Sequence, residues 1–522
     1  MRALYIYIMC MLSTCAFAQN ASTSNGNKSG SSSAKIPEVA TYELTQTQRQ
    51  TIDGFGASDA WSMWQIGCWD DSLQTKVADW LFSQDKGIGL SIWRFNAGAG
   101  SASQGDSAQI NRDTRTEYFD RQKGQRRFLQ LAKERGVPTF LAFFNSPPVH
   151  LTQNGLATNT GRGGTLNLRP DAYDDFAVYM ADMMARAKKE DGIEFDYISP
   201  VNEPDGHWNW QGPKQEGTPA TNREIARVAR LLSTELLKRQ LDTKIIINES
   251  SDLRCMLGVY EADWQRGNEI QCFWNPDSAD TYVGNLPNIA HIHAGHSYWT
   301  NTPVLTPAHP DYATTGLYGY RRRLADALSK VGIDFWMSEL CIMSNDEEIH
   351  GGGGFDFSME VALYVARVIH YDLTVANARS WQWWRAAGGD YKDGLLRMYV
   401  KGERLGRGKG RVAANDVRDS NLRWTLGNVS RFVRPGAVRL EVKGDMSADG
   451  LMLSAYRNAN GKRVIVAINY SDHPRDIRIN AAGKQAAAYR TSDTPGEDLK
   501  YIGKVNLKKT TLPARSVTTF VM

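Results

Sequence analysis

Cysteine is scarce: there are six in 522 residues, and Cys10 and Cys15 fall in a stretch that reads as a cleaved leader. The other four, Cys68, Cys255, Cys272 and Cys341, show no Cys-x-x-Cys spacing, which argues against zinc. A Cys255–Cys272 bridge stays open, because an exported chain permits one. No Gly-x-Gly-x-x-Gly follows the first apolar run, which counts against a dinucleotide fold. Past the leader no stretch reaches the roughly 18 apolar residues that span a bilayer. An excess of one charge is also missing. The formal net charge is +4 and no basic stripe stands out, so nucleic acid is not the expected partner. There is no repeat of fixed period. Gly351–Gly354 lack the Lys-Ser/Thr that would follow in a phosphate cradle, and a mobile loop is expected there. His291, His293 and His296 have no acidic motif to complete a metal site and read as satisfied strand histidines. No metal or cofactor is expected.

Aromatic residues are abundant instead, with 15 Trp and 21 Tyr. Their flat faces pack cores, and they also stack on sugar rings and bases. The low charge turns that choice toward sugars. Residues 1–18 read as a secretory signal, with Arg2, an apolar 4–12 stretch and Ala16-Phe17-Ala18 before Gln19. A lipoprotein reading centred on Cys15 is weaker, because Thr14 is larger than the usual small residue before such a cysteine. An exported protein is expected, periplasmic or extracellular and monomeric. Residues 19–37, rich in Ser, Asn, Thr and Gly, read as a flexible linker.

Eight short apolar runs follow at 51–57, 90–96, 138–145, 195–203, 244–249, 289–298, 334–339 and 378–385. Helical patterns lie between them. In 223–240, Ile225, Val228, Ala229, Leu232, Leu236 and Leu237 fall on one face; 317–330 and 357–373 read alike. This predicts an α/β fold, a (β/α)8 barrel over residues 51–420. After Ser420 the segments 438–442, 451–457, 463–469, 476–479, 486–491 and 516–521 are β-rich, and Asn460-Gly461 signals a hairpin. Residues 38–50 and 421–522 are therefore expected to form one β-sandwich side domain, because 39–44 is strand-like and could pair with the later segments.

Barrel chemistry sits at the C-terminal ends of the strands. The fourth run ends in Asn202-Glu203-Pro204 and the seventh in Ser338-Glu339. Paired carboxylates suit glycoside hydrolysis, one as acid/base and one as nucleophile or activator of water. Arg94 and Asn96 end the second run, where a cation would lower the pKa of the nucleophile. Asn145 ends the third. Asn202 could bind a sugar hydroxyl, His296 and Tyr298 end the sixth, and Trp384 of the eighth could floor the cleaved sugar. Asp59 and Trp61, just past the first run, are counted as further sugar contacts. The two roles need different pKa values, so Glu203 is expected in a less polar setting than Glu339.

Together these residues resemble glycoside hydrolase family 30. The matching segments are Ile52-Asp53-Gly54-Phe55-Gly56-Ala57-Ser58, Trp93-Arg94, Asn145-Ser146-Pro147-Pro148, Ser199-Pro200-Val201-Asn202-Glu203-Pro204, His296-Ser297-Tyr298, Trp336-Met337-Ser338-Glu339 and the run from Trp424 to Gly436. The resemblance implies a retaining enzyme with Glu203 as acid/base and Glu339 as nucleophile, and a sandwich built from strands on both sides of the barrel. Trp210-Gln211 and Gln215-Glu216-Gly217-Thr218-Pro219 look most like the endo-β-1,6-galactanase branch, which places Trp210 and Glu216 at the substrate. Where the family often has a Trp–Met pair after Pro-Pro, this chain has Val149-His150-Leu151. The expected substrate is the β-1,6-galactan side chain of arabinogalactan. The alternatives are β-1,6-glucan, β-xylan, a β-glucoside, or glycan binding without turnover.

Overall fold

The computed structural model describes residues 39–98, 122–159, 161–206, 208, 216–259, 265–343, 348–406, 409–481 and 483–522. The leader, the 19–37 linker and Trp210 lie outside these residues.

After strand β1 (Ala40–Thr51), the barrel strands are β2 (Gly54–Ser58), β3 (Ile92–Asn96), β4 (Thr139–Phe143), β5 (Tyr197–Ser199), β6 (Lys244–Ile245), β7 (Glu249–Ser250), β8 (Ile292–His296), β9 (Asp334–Glu339) and β10 (Ser380–Gly388). They pair in parallel in the order β6-β5-β4-β3-β2-β10-β9-β8-β7. β6 and β7 are two ends of one extended segment, and bridges Ile245↔Ile289 and Asn202↔Glu249 flank it, so eight staves close into a ring. Each coincides with one of the apolar runs. Strands buried on both faces read as continuous apolar runs, and β2, β3 and β8 are buried at every residue.

Alternation along each strand divides two cores. Ile92, Leu141, Ile246, Ala294 and Trp336 fill the barrel interior. Trp93, Phe95, Phe140 and Met337 face the surrounding helices. Helix Asn222–Lys238 shows why the outer layer forms. Thr221 and Glu224 make a reciprocal capping box, and Ile225, Val228, Ala229, Leu232 and Leu236 are buried. Leu237 departs from the sequence reading and is 50% exposed, because the turn of about 100° from Leu236 carries it off that face.

Strands β11 (Gly394–Tyr399) and β12 (Asp416–Arg418) extend the barrel sheet beside β10. Helix Asn421–Ser430, read from the sequence as the start of a β-rich region, is capped by Ser420 and packs on helix Met359–Thr374. The remaining strands are β13 (Val438–Lys443), β14 (Leu451–Arg457), β15 (Arg463–Asn469), β16 (Arg475–Asn480), β17 (Gln485–Ser492), β18 (Lys500–Asn506), β19 (Thr510–Leu512) and β20 (Ser516–Val521). They join β1 in the order β18-β17-β20-β15-β14-β13-β1-β16-β19. Leu453, Ala455, Ile465 and Ala467 point into the core of this β domain, whereas Met452, Tyr456, Val464 and Val466 point into the barrel-side core. The period of two thus glues β14 and β15 to both cores.

Cys255 and Cys272 are free thiols, so the bridge left open by the sequence is not made. Cys272 Sγ instead accepts from Asn222 Nδ2 at 3.2 Å. At the tetraglycine, Lys392 Nζ donates to the carbonyls of Gly351 (3.1 Å) and Gly353 (2.8 Å).

Candidate active site

Two local irregularities bring the strand-end carboxylates together. On β9, Trp336 points into the barrel and Met337 away from it. Simple alternation would then turn Glu339 away. A register shift where Gly295 pairs with Met337 but His296 pairs with Glu339 inserts one extra residue. Such a bulge re-aims a side chain, and both Ser338 and Glu339 face the site. Beyond β5, Glu203 has φ +48, a left-handed value rare outside glycine. That kink lets consecutive Asn202 and Glu203 both reach the site. Single oxygens of Glu203 and Glu339 and a nitrogen of His296 lie within 4.8 Å of one another.

Around this pair is a compact charge network. Arg94, fully buried, donates from Nη1 to Glu339 Oε2 at 2.6 Å and from Nη2 to Asn202 Oδ1 at 3.1 Å. Its Nη2 also lies 3.0 Å from Oε2 of Glu249, a second fully buried carboxylate. His296 Nδ1 is 2.8 Å from Glu203 Oε1 and 3.6 Å from Glu339 Oε1. Tyr298 donates its hydroxyl to Glu339 Oε1 at 2.7 Å. Burial opposes a charged imidazole, but Glu339, Glu203 and Glu249 outweigh it and push His296 up to about 10. Burial would also raise Glu249, yet Arg94 and His296 pull it down to about 2. For Glu339, burial wins and lifts the carboxyl, with His296, Arg94 and Tyr298 opposing. Arg94 is paired with the nucleophile candidate as the sequence predicts, but the pairing does not overcome desolvation.

The expected ordering of environments is not what the fold provides. The Glu203 side chain is 14% exposed and that of Glu339 is 5%. Glu203 sits on a loop at the rim, and Glu339 is the more desolvated of the two. His296, Glu203 and Glu339 offer three donor atoms that could face a metal ion. Those donors already serve Arg94, Tyr298 and a strongly basic imidazole, so the set suits proton chemistry better than a cation.

Other predicted residues divide. Asn145 Oδ1 accepts from Asn202 Nδ2 at 2.8 Å, which fixes the Asn202 amide beside Arg94. Trp384 meets Trp61 edge-on at 5.4 Å and Phe143 at 6.0 Å; Phe143 also lies under the Arg94 guanidinium. Asp59 and Asn96 form a buried layer below: Asp59 Oδ1 accepts from the Asn96 backbone at 2.7 Å, and burial raises Asp59 to about 8 despite that bond. Both are at 0% exposure, so they support Arg94's strand rather than offering a surface to substrate. Glu216 is likewise fully buried, and its neighbour Gly217 lies against the Trp208 indole. That indole donates to the Glu203 carbonyl at 2.7 Å, so this segment braces the Glu203 loop. His293 is structural, accepting from Trp274 on Nδ1 (2.8 Å) with Nε2 on Glu269 (2.9 Å). Val149–Leu151 form a 3-10 turn with Leu151 buried. Sequence reasoning missed Glu249 and Trp208. The same strand-end rule that found Glu339 would have marked Asn248-Glu249.

The model for O-glycosyl hydrolase family 30 matches residues 39–397, and the model for the family 30 β-sandwich domain matches residues 436–520. The chain belongs to glycoside hydrolase family 30. Family 30 membership supports a glycosidase with a glycan substrate. An endo-β-1,6-galactanase from Hypocrea rufa is 28% identical over 242 residues, which are 40% of this chain and 49% of that protein. The chain thus spans about half the length of that relative. The glucuronoxylanase XynC of Bacillus subtilis is 25% identical over 409 residues, 75% of each chain. Among solved structures, a conserved exported protein from Bacteroides fragilis is similar at TM-score 0.80 and 32% identity, covering 92% of this chain and 100% of that one.

Proposed function

We propose that this family 30 glycosidase is an exported, retaining endo-hydrolase of β-1,6-galactan. The observation that carries the mechanism is the approach of Glu203 and Glu339 to within 4.8 Å through His296. Retaining glycosidases hold their carboxyl groups about 5–5.5 Å apart, and inverting ones leave about 6.5–9.5 Å for a water. Glu339 then attacks the anomeric carbon as the glycosidic C–O bond breaks, and Glu203 gives its proton to the departing oxygen. In the second step water attacks the glycosyl-enzyme, Glu203 takes the water's proton, and Glu339 leaves as carboxylate. Tyr298 and Arg94 hold opposite oxygens of Glu339, which leaves its lone pairs oriented toward one face. The likeness to the Hypocrea rufa galactanase, and the Trp210 to Pro219 segment, support galactan as the polymer. A glycan-binding protein without turnover has no need of two converging carboxylates.

The test is product analysis on de-arabinosylated arabinogalactan beside β-1,6-glucan and glucuronoxylan. The proposal expects short galacto-oligosaccharides from the first alone. Products from glucan or xylan alone would reassign the substrate, and binding without products from any would favour the non-catalytic reading.

A further inference from the structure

Glu249 has no place in the two-step mechanism, yet it is built into the centre of the site. Its side chain is at 0% exposure. Its backbone is zipped to the Glu203 segment, with Glu203 N–H donating to Glu249 O at 2.7 Å and Glu249 N–H to Val201 O at 3.3 Å. Its Oε2 pairs with Arg94 at 3.0 Å and stands 3.7 Å from His296 Nε2. The opposite nitrogen of that ring, Nδ1, faces Glu203 at 2.8 Å. One imidazole therefore stands between two carboxylates, hydrogen-bonded to Glu203 through Nδ1 and at ion-pair distance from Glu249 through Nε2. A ring that is N–H at both positions carries a positive charge that both carboxylates attract, and a neutral ring does not.

Resting on the assignment of Glu203 as acid/base, we propose that Glu249 is a positioning residue: a fixed negative charge that holds the imidazolium of His296 against Glu203. The proton on His296 Nδ1 passes to Glu203 Oε1 as Glu203 protonates the leaving oxygen, leaving a neutral ring. Glu203 thus ends the first step protonated; in the second it returns a proton to His296 Nδ1 as it takes one from water, which restores the imidazolium and closes the cycle. The groups facing this unit are Arg94 from β3, Glu203 beyond β5, Tyr298 after β8, and Ser338 and Glu339 from β9. Asp59 lies beside Arg94, and Asp205 and Glu269 bond to Ser251 and Ser250 on Glu249's own segment. Of these, Arg94 is the one permanent cation, and it is shared with Glu339. Without Glu249, Arg94 and His296 would be two adjacent positive groups, and the imidazole would shed its proton more readily.

The experiment is the pH dependence of kcat/KM on β-1,6-galactan for Glu249→Gln and Glu249→Asp, with thermal melting as the folding check. The descending limb should move to lower pH by roughly one unit in Glu249→Gln, as expected for loss of one nearby buried charge, and return with Glu249→Asp. A uniform loss at every pH with unmoved limbs would mean a brace only and overturn the proposal. A second readout needs no variant and no turnover. Nitrogen-15 NMR of histidine-labelled protein, with His296 assigned by a His296→Asn control, should show a doubly protonated ring at pH 8. A neutral ring there overturns the proposal even if Glu249→Gln does not fold. Failure to cut galactan would refute the substrate reading and leave the NMR test standing.

Discussion

Arg94→Met removes the guanidinium that two buried carboxylates share, and its cost can be worked from the structure. Breaking a buried pair while leaving its partner charged costs about 3–5 kcal/mol. Linkage gives a second, independent figure. Glu249 falls from 4.5 to about 2 on folding, which is worth about 3 kcal/mol at neutral pH. A carboxyl depressed in the folded state contributes stability above its unfolded pKa, and that contribution is lost as pH falls toward the folded value. The contribution is therefore about 3 kcal/mol at pH 7 and about 1 kcal/mol at pH 3. In Arg94→Met most of it is gone at every pH. Urea unfolding followed by tryptophan fluorescence should then show a large gap between wild type and variant at pH 7 that narrows markedly by pH 3. A gap of the same size at both values would refute the argument, because it would mean that Arg94 acts through packing on Phe143 and not through charge.

Glu339→Ala and Glu203→Gln should each remove most turnover of polymeric substrate while leaving the fold intact, read as a cooperative melting transition; near-normal activity in either purified variant would contradict the assignment. Tyr298→Phe removes a 2.7 Å hydrogen bond to Glu339. Bonds to charged groups are worth about 1.5–3 kcal/mol, so kcat/KM should fall roughly 10- to 100-fold. That bond lowers the Glu339 pKa, so losing it should move the ascending limb of the pH profile to higher pH, and an unmoved limb would show that the bond is not made in solution. Ile465→Ala empties a site at 1% exposure in the β-domain core and should cost about 2–5 kcal/mol by denaturant melting; a cost below about 1 kcal/mol would mean that this core is loosely packed.

The eight staves were legible because a strand buried on both faces must be apolar throughout, and the long helices because their apolar residues recur every three or four positions. Strands β18 and β19 were not. Lys500–Asn506 is largely exposed at the sheet edge, with Lys500, Lys504 and a positive-φ Gly503, and Thr510–Leu512 is three residues long. Helix Asn421–Ser430 was hidden by its position between two β-rich textures. In the site, the strand-end rule located Glu203, Glu339, Arg94, Asn202, His296 and Tyr298. It did not register Glu249, although that residue ends a run in the same way. The relative burial of the two carboxylates was also illegible, because it depends on the bulge in β9 and the left-handed kink at Glu203. Neither has a signature in residue type: glycine would mark such a backbone, and Glu203 is not glycine. Asp59 and Glu216 were read as sugar contacts from their neighbourhood, but the fold buries both beneath the layer that meets solvent.

The central claim is that Glu339 forms a bond to the sugar while Glu203 handles the proton. Incubation with an activated 2-deoxy-2-fluoro-β-galactoside, followed by peptide mapping, tests it most directly. The account predicts a single glycosyl adduct on the Glu339 peptide and first-formed galactan products of retained configuration. Galactan turnover with no adduct there, an adduct on another carboxylate, or products of inverted configuration would contradict it.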